Sequence, residues 1–509
     1  MRRGWLGGLC RFRAIGMLSL AAAFIVPGWA WAGASANIPV NSRVYGEIER
    51  LEVKGLIDSS LLSTRPFGRA EASRLVKEAS GNAARSGEKG LSAAPVISRL
   101  ERELSFDPGH ESFIRPLERA YAGYLYSDRR PWFPSVNNDG REFEQGHNLG
   151  IGLSSSAGFR DTLTVHLTPE YRLDDGSSRF ELVDAYVKAG IGPFEIQAGR
   201  DSMWWGPGYH GSLLMTDNAA PLDMVKGSTA HPVLLPWIFR KLGPMRPTVF
   251  LARLEEDRDF PEANLLGMRL DFKPAPSFGF ALSRVILFGG EGRKDLSGSD
   301  WLGVFFATDD SEHSSSETDG DQILSIEASY IHRNSSGRMP WSGLKLYGEI
   351  GAEDSSGETK SPTARAYLFG AYCDEPFHIR DFDLRIEYAT TARENRLPNA
   401  QWYRHHIYTT GYTYKGRVIG HHMGPDATDL FVRGQYHFSG GVTLGIEADV
   451  ERSLVHEDGM TKRKWLSTDA SLWFGDGFRF LARAGAERVS SASGEYTNPV
   501  FGINIERSF

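Results

Sequence analysis

From Gly440 to Phe509 the chain alternates without a break. Val442, Leu444, Ile446, Ala448 and Val450 take one parity; Thr443, Gly445, Glu447, Asp449 and Glu451 take the other. Leu466 to Phe474 and Phe478 to Ala486 repeat the pattern, and the chain stops on Phe501-Gly-Ile-Asn-Ile-Glu-Arg-Ser-Phe509. A period of two sends successive side chains to opposite faces of a strand. Charge recurs on the polar parity of strands about ten residues long, which predicts a transmembrane β-barrel, apolar toward lipid and hydrated inside.

The same alternation runs back through the chain. It is found at Leu163–Tyr171, Val183–Ala189, Phe194–Ala198, Leu266–Phe272, Leu324–Tyr330, Leu344–Ile350, Phe382–Tyr388 and Leu430–Phe438. Ala120–Tyr126 is the expected first strand, and the total is about 18 to 20, an even number. Val183, Ala185, Val187 and Ala189 are expected on one face. Hydrophobic residues make up 41% of the chain and mean hydropathy is −0.33, which excludes a bundle of membrane helices.

The N-terminus reads as an export signal over residues 1–32. Arg2, Arg3, Arg11 and Arg13 precede an apolar stretch from Ile15 to Val26, and Ala30-Trp31-Ala32 fits a cleavage site. After it no apolar run is long enough for a spanning helix. Cleavage removes four of 57 basic residues and none of 64 acidic ones. The remaining chain is strongly acidic, so nucleic acid is not expected as a partner. Cys10 leaves with the signal, and Cys373 then has no second cysteine to pair with.

Residues 33–115 read differently, as a small periplasmic helical domain ahead of a barrel over 116–509. Ser42–Gly55, Arg69–Ala79 and Pro95–Leu104 carry helical periodicity, with a loop at 80–90. Gly158–Asp161, Lys273–Ser277, Ser439–Gly441 and Gly475–Gly477 read as tight periplasmic turns. The segments 127–145, 202–222, 288–298, 415–426 and 455–463 read as long outer loops. The side on which 309–321 lies is left open, and Asp319-Gly-Asp321 is too short for a calcium loop. The lumen is either an open channel or filled by loops, with 202–245 as the candidate plug.

Two stretches concentrate chemistry. Gly199–Pro221 carries Trp204, Trp205, Gly206-Pro207-Gly208 and Tyr209, with Arg200, Asp201, Asp217 and Asn218. Aromatic faces pack on sugar rings and the polar groups meet hydroxyls, as binding sites require; the alternative is an interfacial girdle or a plug anchor. Trp402–Asp426 carries Tyr403, His405, His406, Arg417, His421 and His422. Adjacent histidines on a strand would point to opposite faces, so lumen or loop packing is weighed above a metal site, and no metal or cofactor is expected. No G-x-S-x-G, H-E-x-x-H or Walker A motif occurs.

These two stretches, with Gly411-Tyr-Thr-Tyr-Lys-Gly-Arg-Val-Ile-Gly-His421 and the run Thr64-Arg-Pro-Phe-Gly-Arg-Ala-Glu-Ala72, resemble the Wzi family of outer-membrane capsule assembly proteins. The resemblance covers nearly the whole mature chain. It implies an 18-stranded barrel, a helical bundle at the periplasmic mouth, and a lectin-like, non-enzymatic role in holding capsular or other surface polysaccharide. Arg507 departs from the apolar residue usual in the C-terminal assembly signal. On this reading the expected glycan contacts are Trp204, Trp205, Tyr209, Asp217, Asn218, Trp402, Tyr403 and His421. Arg200 and Arg417 are expected to meet acidic sugars. The expected setting is a monomer among outer-membrane lipids. A diffusion porin is the alternative function, and an outer-membrane hydrolase would need a converging catalytic set that the sequence lacks.

Overall fold

The computed structural model describes residues 33–104, 112–160, 162–293, 320–334, 337–356, 361–392, 402–455, 459–474 and 477–509. Among these, eighteen antiparallel strands close into a barrel. Leu222–Thr229 and Val233–Leu234 count as one strand, since both pair with Pro244–Arg253. The wall runs up and down in sequence order, and Phe113–Ser127 closes it against Gly494–Ser508.

The barrel is inside out relative to a soluble protein. Leu444, Ile446, Leu466 and Ile326 lie exposed on the outer surface, while Glu447, Asp449, Glu451 and Glu327 are buried within. Only a hydrocarbon solvent makes that distribution favourable. No described helix is long and apolar enough to cross a membrane. The wall begins at Phe113, three residues ahead of the expected boundary, and its register shifts between Arg115 and Arg119 around Pro116. A second shift carries the register from Thr168↔Asp184 to Pro169↔Leu182. Proline has no N–H to give the ladder, and the extra residue opposite it, Val183, is turned inward and buried. Val183 therefore does not share a face with Ala185 and Val187 as the plain alternation suggested.

Three helices cap one end: α1 (Val44–Val53), α2 (Arg69–Ala83) and α3 (Glu88–Leu104). Ser42 Oγ accepts the Val44 amide at 3.3 Å and Gly55 (φ 82°) ends α1. The expected loop at 80–90 is mostly helix, because Asn82 on α2 donates to the Leu56 carbonyl at 3.0 Å and ties the extra turn down. Ile48, Leu51, Leu75 and Leu100 form the helices' own core.

The polar side of α1 enters the barrel mouth. Glu49 pairs with Lys345 at 2.8 Å and with Arg385; Glu52 pairs with Lys273; Lys54 pairs with Asp374 at 2.8 Å. These contacts fix the ends of the barrel. The turns at 276–277, 438–441 and 375–381 sit on the helix side, and 128–145, 202–221 and 391–426 sit at the opposite rim. Phe288 and Asp321 also lie at that rim; residues 294–319, which include most of the 309–321 run, lie outside the described residues. So do residues 1–32, Asp161 and 475–476. The expected loop 455–463 is a correction: Val442–Val455 and Gly459–Phe474 extend through nearly all of it.

Candidate functional site

Two loops from the rim opposite the helices fold back into the lumen and pack on one another there. The first is 202–221. Trp204 and Trp205 form a short antiparallel ladder with Arg65 and Thr64 of the N-terminal segment, which enters from the helix side. Gly206 N–H donates to the Ser63 carbonyl at 2.8 Å. The plug is thus narrower than the 202–245 expected. Leu222–Thr229 and Pro244–Arg253 are wall, and Trp237, 90% exposed, lies in a short helical turn on the helix side of the barrel.

The second loop, 402–426, is not a barrel strand. Positive φ values at Tyr403, Gly411, Lys415, Gly416, Gly424 and Asp426 break it into turns, and its one ladder is Thr413–Tyr414 with Arg417–Val418. It packs on the first loop. Thr216 Oγ1 donates to the Gly420 carbonyl at 2.7 Å, Asn218 Nδ2 to the Val418 carbonyl at 2.9 Å, and the Tyr403 hydroxyl to the Leu213 carbonyl. A Cβ at Gly420 would collide with the Leu213 carbonyl and the Tyr403 hydroxyl, so only glycine permits this approach.

Inward-facing glutamates hold both loops by their backbones. Glu349 accepts the Leu213 amide at 3.0 Å, Glu353 the Tyr403 amide at 2.6 Å, and Glu387 the His210 amide at 2.8 Å. Glu487 accepts the amides of Trp132 and Phe133 from the 128–145 loop at 2.8 and 2.7 Å. A buried carboxylate bonded to amides satisfies both partners where neither reaches water. Sequence alternation marked Glu387 and Glu487 as lumen-facing without revealing what they bind.

Residues 131–491 match the family model described as capsule assembly protein Wzi. The chain belongs to the Wzi family. The matched span contains most of the wall and both plug loops. A Klebsiella pneumoniae relative, described as an uncharacterized 55.8 kDa protein in the cps region, is 26% identical over 370 residues, 71% of this chain and 67% of that protein. A solved structure described as Wzi, an outer membrane protein involved in group 1 capsule assembly in Escherichia coli and a carbohydrate binding β-barrel, superposes with a TM-score of 0.71. It is 20% identical and covers 94% of this chain and 100% of that one; at that identity the likeness speaks for the fold.

Within this Wzi-family barrel the candidate contacts scatter. Trp204, Trp205, Trp402, Tyr403 and His421 are buried in the plug, Trp205 completely. They offer no free face to a polymer in this state, because the two loops meet across them. Asp217 and Asn218 are buried at the same seam. Arg417 has its fork on the loops, donating to the Ser135 carbonyl at 2.7 Å and to Asn218 Oδ1 at 2.9 Å. Arg200 is ion-paired with Asp223 at 2.6 Å. Tyr209 is 37% exposed, and the guanidinium of Arg385 covers its ring at 4.6 Å.

Burial, with the nearby Asp139 carboxylate, pushes the Asp217 carboxyl up to about 7. The unfolded value is roughly 3.9, so the folded state binds the proton more tightly. The stability this group contributes is complete below the unfolded value and is lost as pH rises through the folded one. Wild-type stability therefore falls by about 1.4 kcal/mol per pH unit from this group between pH ~4 and ~7, and levels above. Asp217→Asn should remove that slope. Urea denaturation of the detergent-solubilised pair across this range measures the difference, and parallel curves would refute it.

Sequence reasoning missed the surface beside the 128–145 loop, at the rim opposite the helices. Arg463 stands over the Trp132 ring at 4.2 Å and Arg129 over the Tyr496 ring at 4.6 Å. Arg130 lies beside them with its side chain 58% exposed. The signal was the Arg129-Arg-Pro-Trp132 run in a long outer loop.

Proposed function

We propose that the chain is cleaved after Ala32 and sits in the outer membrane as a monomer, with α1–α3 in the periplasm. Its outer rim holds exported polysaccharide at the cell surface without altering it chemically. The observation that carries this reading is the pairing of arginine with aromatic faces at the rim, above a lumen that loops have closed. Aromatic rings stack on the C–H faces of sugars, and guanidinium forks suit sugar carboxylates. Trp132, Arg129, Arg463 and Tyr496 contact the glycan directly. Trp204, Trp205, Trp402, Tyr403 and His421 keep the loops beneath that surface in place, as do Asp217, Asn218 and Arg417.

The relatives' descriptions, one from a cps region and one carbohydrate binding, agree with this reading. Glycan-array binding by the refolded protein tests it. Acidic polysaccharides should be retained, and the double variant Trp132→Ala/Arg463→Ala should weaken retention at least tenfold with the barrel still folded. Unchanged retention would move the surface elsewhere. Absence of any glycan binding, with a large steady current in planar bilayers, would favour a diffusion porin.

A further inference from the structure

Four side chains from four parts of the chain converge where the plug meets the wall. His210 comes from the first plug loop and His422 from the second. Asp429 and Asp449 come from the neighbouring strands Ala427–His437 and Val442–Val455. Asp429 pairs with Glu451, and Asp449 pairs with Phe431, so the two aspartates are diagonal neighbours on the inward face. One potential ligand atom from each of the four lies within 4.8 Å of every other.

The separations fit a small tetrahedral cation. His210 Nε2 is 2.6 Å from Asp449 Oδ2 and 3.6 Å from Asp429 Oδ2, and His422 Nε2 is 3.3 Å from that same Asp429 oxygen. Zinc bonds of about 2.0–2.1 Å in a tetrahedron set neighbouring ligands about 3.3 Å apart. These three values lie on either side of that spacing, and the remaining pairs lie within 4.8 Å.

The hydrogen-bond count points the same way. Among the described residues, His210 Nε2, both ring nitrogens of His422, and both carboxylate oxygens of Asp429 and of Asp449 are buried without a well-aligned hydrogen bond, their close approaches being to one another. Unsatisfied polar atoms are rare in folded interiors, and so many aimed at one point need a common partner. The rings are held ready for it. His210 stacks on Phe431 at 4.0 Å and 6°, and its carbonyl accepts from Asn137 Nδ2 at 2.6 Å. His422 stands edge-on to His210 at 4.7 Å. Burial holds His422 well below the usual imidazole range, with His421 and His210 adding to the effect. A neutral imidazole is the form that binds metal.

We propose that His210, His422, Asp429 and Asp449 form a zinc-class transition-metal site that pins both plug loops to the barrel wall. Glu451 stands just outside it. Its oxygens are engaged by Trp132 Nε1 at 3.0 Å and Arg463 at 2.8 Å, leaving it 3.9 Å from His422 Nε2. The site is distinct from the glycan surface and does not depend on it.

Zinc alone is the probe, added to the full detergent-solubilised chain after chelation and dialysis. About one zinc per chain should remain bound, and its X-ray absorption should report two nitrogen and two oxygen ligands. His422→Ala should weaken binding at least tenfold. His422→Cys keeps a ligand at the position; it should still bind and, with cobalt, show a thiolate charge-transfer band. That second variant guards against simple misfolding, and the heat-dependent gel shift of a closed barrel reports folding in each case. Zinc at background levels in folded wild type would overturn the proposal, as would binding that His422→Ala leaves unchanged. Either result would mean that these groups instead share protons.

Discussion

Replacing Glu49 with alanine should release the helical cap from the barrel at a cost of about 3–5 kcal/mol. Glu49 is buried between Lys345 and Arg385, so its loss leaves two cations without this anion in the mouth of the barrel. Removing one partner of a buried pair costs far more than the intact pair contributes, because the orphaned charge cannot reach water. The expected readout is rapid proteolysis of α1–α3 while the wall stays resistant. Acid should do the same to wild type. Burial by itself would raise the Glu49 carboxyl, but Arg385 and Lys345 outweigh it and hold the group at about 2. A lowered folded value stabilises above the unfolded pKa, roughly 4.3, and that stability is lost as pH falls through the folded value. Glu71, held at about 2 by Arg74 and His231 against its own burial, adds in the same direction. The cap should therefore stay docked at pH ~5 and loosen toward pH ~2. Glu49→Ala should show less of that dependence. Equal protease resistance of variant and wild type would show that the salt-bridged mouth does not hold the cap.

The second large effect is expected from Trp205→Ala. Trp205 is completely buried, packs edge-on against Phe250 at 5.2 Å, and pairs by backbone with Thr64. Removing an indole from such a position costs about 3–5 kcal/mol through lost transfer energy and the cavity left behind. The loss falls on the plug, since the wall is closed by its own ladder. The barrel should keep its heat-dependent gel shift while the plug loosens, and planar-bilayer recordings should pass from closed to intermittently conducting. Retention of surface polymer should weaken alongside, as it should for Trp204→Ala. A wild-type protein that conducts steadily would mean that the loops do not block the lumen.

The wall was legible because lipid imposes a strict rule. Each strand must turn apolar residues outward at every second position, and Leu444 or Ile326 obey it whatever lies elsewhere in the chain. The exception was Val183, where Pro169 on the neighbouring strand disturbs the ladder. What the inward parity does was not legible. Glu387 and Glu487 read as a wet lining, yet their partners are backbone amides, and an amide has no signature in sequence. The polar side of α1 hid its purpose in the same way, because Glu49 and Lys54 find their partners some three hundred residues away. The histidine pair at 421–422 was judged as if it lay on a strand. Its loop geometry brings the two rings to 4.6 Å, and His210 joins them from the other plug loop.

The short ladder of Thr64 with Trp205 has a mechanical consequence. From the 402–426 loop the Tyr403 hydroxyl grips Leu213, and Leu213's own loop, 202–221, carries Trp205, whose ladder partner Thr64 leads to Phe67 and its ring contact with Tyr45 in α1. A pull on the 402–426 loop is thus borne along one continuous strut down the barrel. The load reaches the helical cap without asking the wall to stretch.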